Sequence, residues 1–297
     1  MNWNGTVPAW VKPVVLVTVL VVLWLWESAR PFFENPHGRW RHAARSLCLA
    51  LLNTVLLALA FGVATVGVVA WTETHRAGLL HAWPLPGAWR LVLAVLLLDG
   101  WLYVWHRANH VIPLLWRFHR MHHADREMDV TTALRFHTGE LVLSAILRLA
   151  LIPLLGVTST ELLVHETLVL AATAFHHANI SVGRLDRWLA LGIVTPFLHK
   201  VHHSREPVET NSNYATVFSW WDRLGGTLRQ REDFQSLRLG LDEFDDPRWE
   251  TLAGLLSIPA AQRPIPVFGV QRQQPAGNLA KLDSSQKKPL AGEKFDG

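Results

Sequence analysis

The stretch LCLALLNTVLLALAFGVATVGVVAW, from Leu47 to Trp71, contains no charged residue and is long enough to cross a bilayer as one helix. About 20 helical residues span a hydrocarbon core of about 30 Å. Four other apolar stretches reach or approach that length: Pro13 to Trp26, Ala88 to Trp105, Leu141 to Val157 and Leu162 to Phe175. The shorter ones can tilt, borrow flanking residues or form a re-entrant hairpin. We therefore predict an all-α fold, a polytopic membrane helical bundle with four or five membrane helices.

The composition agrees with a membrane location. Half of the 297 residues are hydrophobic, the mean hydropathy is +0.17, and 15 Trp stand against two Tyr. Trp favours the membrane interface, where its ring and its N–H are both satisfied. The single cysteine, Cys48, excludes a disulfide framework and a thiolate metal cluster. The net charge of +4 is modest and the arginines lie beside apolar stretches, which favours lipid headgroups and argues against a nucleic-acid partner.

The charges of the connecting segments predict the orientation. Four arginines lie between the first two apolar stretches, whereas Thr72 to Gly87 carries only Arg76. Cytoplasmic loops are enriched in Lys and Arg, so the first segment is predicted to be cytoplasmic. We expect the first apolar stretch to remain as an anchor, since Lys12 is the only charge before it and no signal-peptidase pattern follows it.

The composition along the chain also suggests three regions. We expect anchor helices over residues 1–90, followed by a region over residues 91–260 whose motifs are described below. Residues 261–297 are rich in Gln, Pro, Lys, Ser and Gly and are expected to form a disordered tail, because such a composition buries too little apolar area to fold.

Ten of the 16 histidines fall into four tight groups. The groups are His106 and His110; His119, His122 and His123; His176 and His177; and His199, His202 and His203. Residues at i, i+3 and i+4 of a helix share a face, so both H-x-x-H-H triplets are expected to present their imidazoles in one direction. Counting membrane crossings places all four groups at the cytoplasmic ends of apolar stretches or in the segments that follow them. They can therefore converge just outside the bilayer.

This clustering predicts a metal site. Ten packed imidazoles would repel one another if protonated and would be costly to bury without partners, and a metal removes both penalties. Imidazole suits zinc, copper, iron and nickel alike, but eight to ten nitrogens exceed the coordination of one ion, so two ions are expected. The zinc-protease pattern H-E-x-x-H is absent, because Val169 follows His165 and Glu166 where a histidine is needed. The Glu-x-x-His pairs of soluble di-iron bundles are missing as well, which leaves an all-nitrogen site with two redox-active irons as the favoured prediction.

The motifs in these segments resemble the fatty acid hydroxylase superfamily, which includes the sterol desaturases. The matching residues are D-x-x-x-Y-x-x-H-R-x-x-H (Asp99 to His110), H-x-x-H-H (His119 to His123), T-T-A-L-R-F-H (Thr131 to His137), H-A-N (His177 to Asn179), H-x-x-H-H-S (His199 to Ser204), N-Y-A (Asn213 to Ala215) and W-W-D-R-L-G-G-T (Trp220 to Thr227). The likeness covers roughly Leu91 to Pro259 and is greatest to bacterial sterol desaturase family proteins. The resemblance implies a catalytic domain over residues 91–260. It also implies a helical membrane fold with a cytosolic, histidine-rich di-iron cap, in a bacterial inner membrane.

The histidine groups and the resemblance together give nine predicted metal ligands: His106, His110, His119, His122, His123, His177, His199, His202 and His203. Asp99, His137, His176 and Asn179 are predicted to support them. Many bacterial members carry Gln at the position of His176, so His177 is the predicted ligand of that pair. Asp99 lies inside an apolar stretch, where a carboxylate is functional by default. We expect it to accept an N–H from a ligating imidazole and so fix the tautomer.

The predicted activity is oxidation of a C–H bond of a lipid by dioxygen, giving a hydroxyl group or a double bond. A fatty acyl chain, a sterol or another isoprenoid would be the substrate, and carotenoid hydroxylation remains open. No G-x-G-x-x-G after a predicted strand and no second redox domain is visible, so a separate ferredoxin or cytochrome is expected to supply electrons. Two rival hypotheses are a two-zinc lipid hydrolase and a non-catalytic protein in which metal acts as a staple.

Overall fold

The computed structural model describes residues 8, 10–34, 38–83 and 85–261. Within these ranges the chain forms helices joined by loops, and the strand-like pairing is limited to an isolated bridge between Ser204 and Leu239. The predicted all-α fold is therefore confirmed. The expected tail falls outside the described residues from position 262 onward.

Twelve α-helices are found in the described ranges. In chain order they are α1 Val11–Ala29, α2 Arg39–His75, α3 Leu79–Ala82, α4 Gly87–Val111, α5 Pro113–His123, α6 Thr138–Leu155, α7 Ser159–His177, α8 Asp186–Leu189, α9 Pro196–His202, α10 Pro207–Thr210, α11 Trp220–Leu224 and α12 Leu252–Ser257. Short 3-10 turns occur at Val130–Leu134, Gly183–Leu185, Asp242–Phe244, Pro247–Glu250 and Ile258–Ala260.

Four segments are long and apolar enough to cross a membrane. They are Val11–Ala29, Arg39–Ala82, Gly87–Val111 and Thr138–Leu155, with mean hydropathies between 1.5 and 2.4. The sequence predicted four or five membrane helices, and the structure agrees with the lower number. The fifth predicted stretch lies in α7, which carries Glu161, His165 and Glu166 and packs against α1. Its polar residues set it apart from the four apolar segments, although it also runs to the histidine end of the bundle at His177.

Helix α2 is longer than the apolar stretch that predicted it. Its 37 residues extend about 55 Å, well beyond the hydrocarbon thickness. The middle of the helix exposes Leu59 and Val63 by 80% and 89%, as expected of a lipid-facing surface. Its first turns instead bury His42 and Ser46 against the histidine-rich region. The segment that the sequence analysis treated as a loop before Leu47 is therefore helical from Arg39 and belongs to the cap.

The end of the bundle opposite the histidines is closed by Arg90. Its guanidinium donates to Glu161 at 2.7 Å and to the carbonyls of Leu80 at 2.6 Å and Gly156 at 2.7 Å. Gly78 and Gly156 cross there, and a Cβ added to Gly78 would lie 2.3 Å from the Gly156 nitrogen. Gly78 also has a φ of +95°, which a side chain rarely adopts. This junction joins the starts of α4 and α7 to the end of α6.

The start of α7 provides a stability prediction. Thr158 and Glu161 form a capping box, in which the Thr158 hydroxyl accepts from the Glu161 N–H and the Glu161 carboxylate accepts from the Thr158 N–H at 2.8 Å. Thr158→Ala is expected to lower the free energy of unfolding by about 1 kcal/mol. The matched control is Thr167→Ala, where the hydroxyl bonds only to the carbonyl of Leu163 inside the same helix. Thermal unfolding in detergent checks this, and equal midpoints for the two variants would contradict it.

Candidate metal centre

Nine histidines form two adjacent groups of possible metal ligands. The first group is His106, His110, His119, His123 and His202, and the second is His122, His177, His199 and His203. Within each group one ring nitrogen of every member lies within 4.8 Å of those of all the others. All nine predicted ligands are thus brought together, and His176 falls outside both groups. Their role as ligands stays a prediction.

The two H-x-x-H-H triplets connect the groups. His119 and His123 of α5 join the first group while His122 joins the second. The triplet at the end of α9 is divided the opposite way, with His202 in the first group and the other two in the second. The i and i+4 positions therefore share one group, and the i+3 position turns to the other. The sequence analysis expected one direction for each triplet, and the structure shows two.

Ring-nitrogen distances show how closely the imidazoles converge. The Nε2 atom of His106 lies 3.1 Å from that of His119 and 3.1 Å from that of His202. His177 makes the same kind of contact with His122 at 3.1 Å and with His199 at 3.0 Å. The groups meet where the rings of His123 and His203 stack with centroids 4.5 Å apart.

The partner of the other ring nitrogen, Nδ1, decides whether these contacts between Nε2 atoms are hydrogen bonds. Five Nδ1 atoms face an oxygen acceptor: His106 the carbonyl of Tyr214 at 2.7 Å, His119 the carboxylate of Glu140 at 2.9 Å, His122 the carbonyl of Arg135 at 3.2 Å, His177 the carbonyl of Thr173 at 2.8 Å, and His202 the carbonyl of Ser212 at 2.6 Å. A neutral imidazole with its proton on Nδ1 has only a lone pair on Nε2. The converging Nε2 atoms therefore present lone pairs to a common point, which a bound cation would stabilise.

The charge state of the rings supports this arrangement. Burial, followed by the neighbouring imidazoles, lowers the pKa of His122, His202 and His203 well below the usual value for histidine. These rings are neutral at physiological pH, which is the form that binds metal. In addition, both nitrogens of His110 and of His203 are buried without a hydrogen-bond partner among the described residues. The donor set fits two metal ions, since such orphaned nitrogens are costly unless they are coordinated.

The predicted role of Asp99 is wrong. Its carboxylate accepts from the backbone N–H of Val217 at 3.2 Å, that of Phe218 at 3.1 Å and the indole of Trp221 at 2.9 Å. Asp99 precedes His106 by seven residues, or about 10 Å along the helix, so its carboxylate lies too far from that ring to fix its tautomer. It instead anchors the loop that carries Tyr214, whose carbonyl accepts from His106.

The other three supporting residues have different surroundings. His137 caps α6 by accepting from the N–H of Gly139 at 2.9 Å, and it lies outside both ligand groups. Asn179 bonds to the N–H and the carbonyl of Phe33, both at 2.9 Å, and so ties the connection after α1 to the end of α7. The ring of His176 lies 3.9 Å from that of His199, centroid to centroid. Of the three, His176 is the one in ring contact with predicted ligands.

Sequence reasoning missed Glu140. Its carboxylate is 5% exposed and accepts the Nδ1 proton of His119, the arrangement expected for a residue that orients a metal-bound histidine. The available signal was an acidic residue directly before the apolar stretch that begins at Leu141, at the membrane end where the histidines are predicted.

A second unpredicted feature is a buried charge network. His42, which lies outside the four histidine groups of the sequence, contacts Asp125 at 2.9 Å and Asp129 at 3.3 Å. Burial alone would raise the pKa of Asp125, but Arg135 and His42 hold it well below the usual value. Asp125 also lies 3.5 Å from the guanidinium of Arg135. Because the carbonyl of Arg135 accepts from His122, this network fixes the position of a predicted ligand.

A cavity of about 430 Å³ connects the histidines to the membrane helices. Its histidine end includes His106, His119, His122, His177 and His199. Its walls come from α1, α4, α6 and α7 and are mainly apolar, with Leu16, Leu20, Leu98, Leu102, Leu151 and Leu170 among them. Lys12, Arg148, His165 and Glu166 also line it. The site can therefore hold an elongated apolar molecule with one part against the imidazoles.

Known proteins are similar in sequence to this chain over much of its length. Residues 91–227 match the family model described as fatty acid hydroxylase. The ornithine lipid hydroxylase OlsE of Rhizobium tropici is 29% identical over 243 residues, covering 78% of this chain and 71% of that protein. A cholesterol 25-hydroxylase-like protein of Danio rerio is 33% identical over 198 residues, covering 64% of this chain and 73% of that protein.

Alkylglycerol monooxygenases form a third group of relatives. The Danio rerio protein is 32% identical over 168 residues, which cover 56% of this chain. The match spans 35% of its length, and that with the human protein spans 46%, so this chain spans less than half of these relatives. No solved structure matches the chain.

Proposed function

The chain belongs to the fatty acid hydroxylase family, and we propose that it is a membrane-bound di-iron oxygenase that uses dioxygen to hydroxylate or desaturate a C–H bond of a lipid. The observation that carries the proposal is the meeting of nine clustered imidazoles with an apolar cavity between membrane-scale helices. The relatives' names describe enzymes that oxidise ornithine lipid, alkylglycerol and cholesterol. Their common feature is a lipid substrate, and the cavity has the apolar walls that a lipid requires.

The number of nitrogens favours iron over zinc. The first group brings five imidazoles together, which exceeds the tetrahedral coordination that zinc prefers. We infer that the first group holds one iron and the second group the other, with His176 packed beside the second.

The protein's part in the reaction is to position the imidazoles and the substrate, and to exclude water. Two bound irons supply the one-electron chemistry that an unactivated C–H bond requires, which the chain's own side chains lack. In hydroxylation, dioxygen takes up two electrons and two protons, one oxygen atom enters the lipid and the other leaves as water. The Nδ1 hydrogen bonds hold the rings in the tautomer that directs Nε2 to the centre. The leucine-lined cavity keeps water out and holds the chain of the substrate against the imidazoles.

The electrons are proposed to come from a separate ferredoxin or cytochrome. The ring of Trp116 lies 5.0 Å from that of His110 and 5.4 Å from that of His123. Trp116 also lines a second cavity of about 310 Å³, together with Arg205, Arg231 and Arg238. We propose that the donor docks on this side of the protein. The arginine distribution supports placing this side in the cytoplasm. The likeness to the Rhizobium tropici protein supports a bacterial inner membrane.

The division of the chain is also a proposal. The family match at 91–227 lies inside the proposed catalytic domain 91–260. Residues 1–90 provide the first membrane helices, but the start of α2 packs into the cap, so the two parts would fold together. The two-zinc hydrolase receives no support from the family.

Lipid profiling tests the proposed activity. Cells that contain the protein are expected to accumulate a lipid that has gained one oxygen atom or lost two hydrogens, compared with cells that carry an empty vector. Under ¹⁸O₂ a hydroxylated product should carry the heavy isotope. Product that forms without dioxygen, or whose new oxygen comes from water, would overturn the oxygenase proposal in favour of hydrolytic chemistry.

A further inference from the structure

Three charged side chains line the cavity at a distance from the histidines. Glu166 of α7 accepts from the guanidinium of Arg148 at 2.5 Å through one oxygen and from the ammonium of Lys12 through the other. We call Lys12, Arg148 and Glu166 the charged triad. Because α1, α6 and α7 each contribute one member, the triad lies where these three helices face the cavity.

Helix geometry places the triad at a distance from the histidines. Arg148 follows Glu140, which bonds to His119, by eight residues, or about 12 Å along α6. Glu166 precedes His177 by 11 residues, or about 16 Å along α7. The triad therefore lies about 12 to 16 Å from the histidine groups, and its side chains are 24 to 39% exposed, so they are only partly buried between the helices. Ionisable groups within membrane helices mark functional sites by default.

The triad retains unused binding capacity. Two cations face one carboxylate, which leaves an excess of one positive charge. Among the residues that the structure describes, Lys12 and Arg148 donate only to Glu166, so most of their N–H groups remain open to the cavity. A staple between helices would be complete with one cation, and the second leaves a positive charge beside apolar walls that an incoming anion would neutralise.

His165 supplies a second, independent observation. Its side chain lines the same cavity, the residue is 6% exposed, and its Nε2 is buried without a hydrogen-bond partner among the described residues. A buried polar atom without a partner is rare in native structures. An oxygen-bearing group held by the neighbouring triad would provide that partner.

We propose that the charged triad and His165 bind the anionic end of a single-chain lipid, a carboxylate or a phosphate monoester, and so determine which carbon reaches the metal centre. The proposal adds a substrate class to the proposed function. It rests on that function for the claim that the lipid is oxidised at the metal centre. The triad residues act as positioning residues. The distance of about 12 to 16 Å then sets the separation between the anionic group and the oxidised carbon.

Equilibrium binding tests the proposal without turnover. Radiolabelled dodecanoate, dodecyl phosphate and methyl dodecanoate would be measured with the purified, metal-loaded protein in detergent micelles. At least one of the two anions is expected to bind about tenfold more tightly than the uncharged ester. Arg148→Gln should lower the affinity for that anion about tenfold and leave the ester unchanged, whereas Arg148→Lys should retain most of the binding. Arg184→Gln, at an exposed arginine outside the cavity, is the matched control.

Each outcome of these binding measurements supports or overturns the proposed anion site. Equal binding of the ester and both anions by the wild type overturns the proposal, and so does an equal loss for all three ligands in Arg148→Gln. If Arg148→Gln does not fold, Lys12→Gln gives the same comparison. The position of the new oxygen in the product is a second measurement, since Arg148→Gln should spread it over several carbons. Selective anion binding by a protein that oxidises no lipid would reject the proposed function and retain this site.

Discussion

Replacing His122 by alanine is expected to remove one of the two metal ions and to abolish lipid oxidation while the protein stays folded. His122 belongs to the four-histidine group, so its loss leaves three imidazoles there and leaves the five-histidine group intact. The metal content should fall from about two ions to about one per chain. The rate should fall on the order of a thousandfold or more, beyond the 10–100-fold typical of residues that only support ligands.

Metal analysis and turnover of the purified protein provide the measurement. His75→Ala is the matched control, because His75 is exposed near the far end of α2 and lies outside both groups. It should retain the full metal content and rate. A His122→Ala protein that keeps both irons would contradict the assignment of the second group. Loss of folded protein, with no folded and inactive fraction, would support the hypothesis of a metal staple.

The clustering of the histidines could be predicted from the sequence because it depends on local geometry. Residues at i, i+3 and i+4 of one helix turn are neighbours whatever the rest of the fold does, so the triplets in α5 and α9 are visible in the sequence. Their division between two groups depends on how α4, α5, α7 and α9 pack, which no local pattern contains. The membrane helices were predictable for the same local reason, through length and hydropathy.

The supporting residues could not be predicted because their contacts join distant parts of the chain. Glu140 is 21 residues from His119, and Asp99 is 118 residues from Val217. Four of the five Nδ1 acceptors are backbone carbonyls, such as those of Tyr214 and Ser212. A carbonyl is present in every residue, so the sequence carries no sign of which one is used. Asp99 was misassigned because its unusual setting showed that it had a role but not with which partner.

Glu140 is the one side chain among these five Nδ1 acceptors, and its replacement separates two contributions to ligand binding. Its carboxylate accepts the N–H of His119 at 2.9 Å in a buried setting, which holds the ring and makes its Nε2 a stronger donor to metal. Glu140→Ala removes both effects and leaves a buried N–H without its acceptor. In this variant we expect both the affinity of the five-histidine group for iron and the rate of lipid oxidation to decrease by up to about 100-fold.

In Glu140→Gln the iron affinity and the rate should lie between those of the wild type and of Glu140→Ala, with a loss nearer to tenfold. The amide oxygen can still accept the N–H of His119 and hold the ring, but it carries no negative charge. Competition with a chelator, followed by metal analysis, should show early loss of one ion and normal retention of the other, since His119 belongs to only one group. Equal losses in Gln and Ala would assign the whole effect to charge, and wild-type affinity in both would exclude Glu140 from the support of the centre. Loss of both ions together would instead mean that the stacked rings of His123 and His203 couple the groups so tightly that neither holds iron alone.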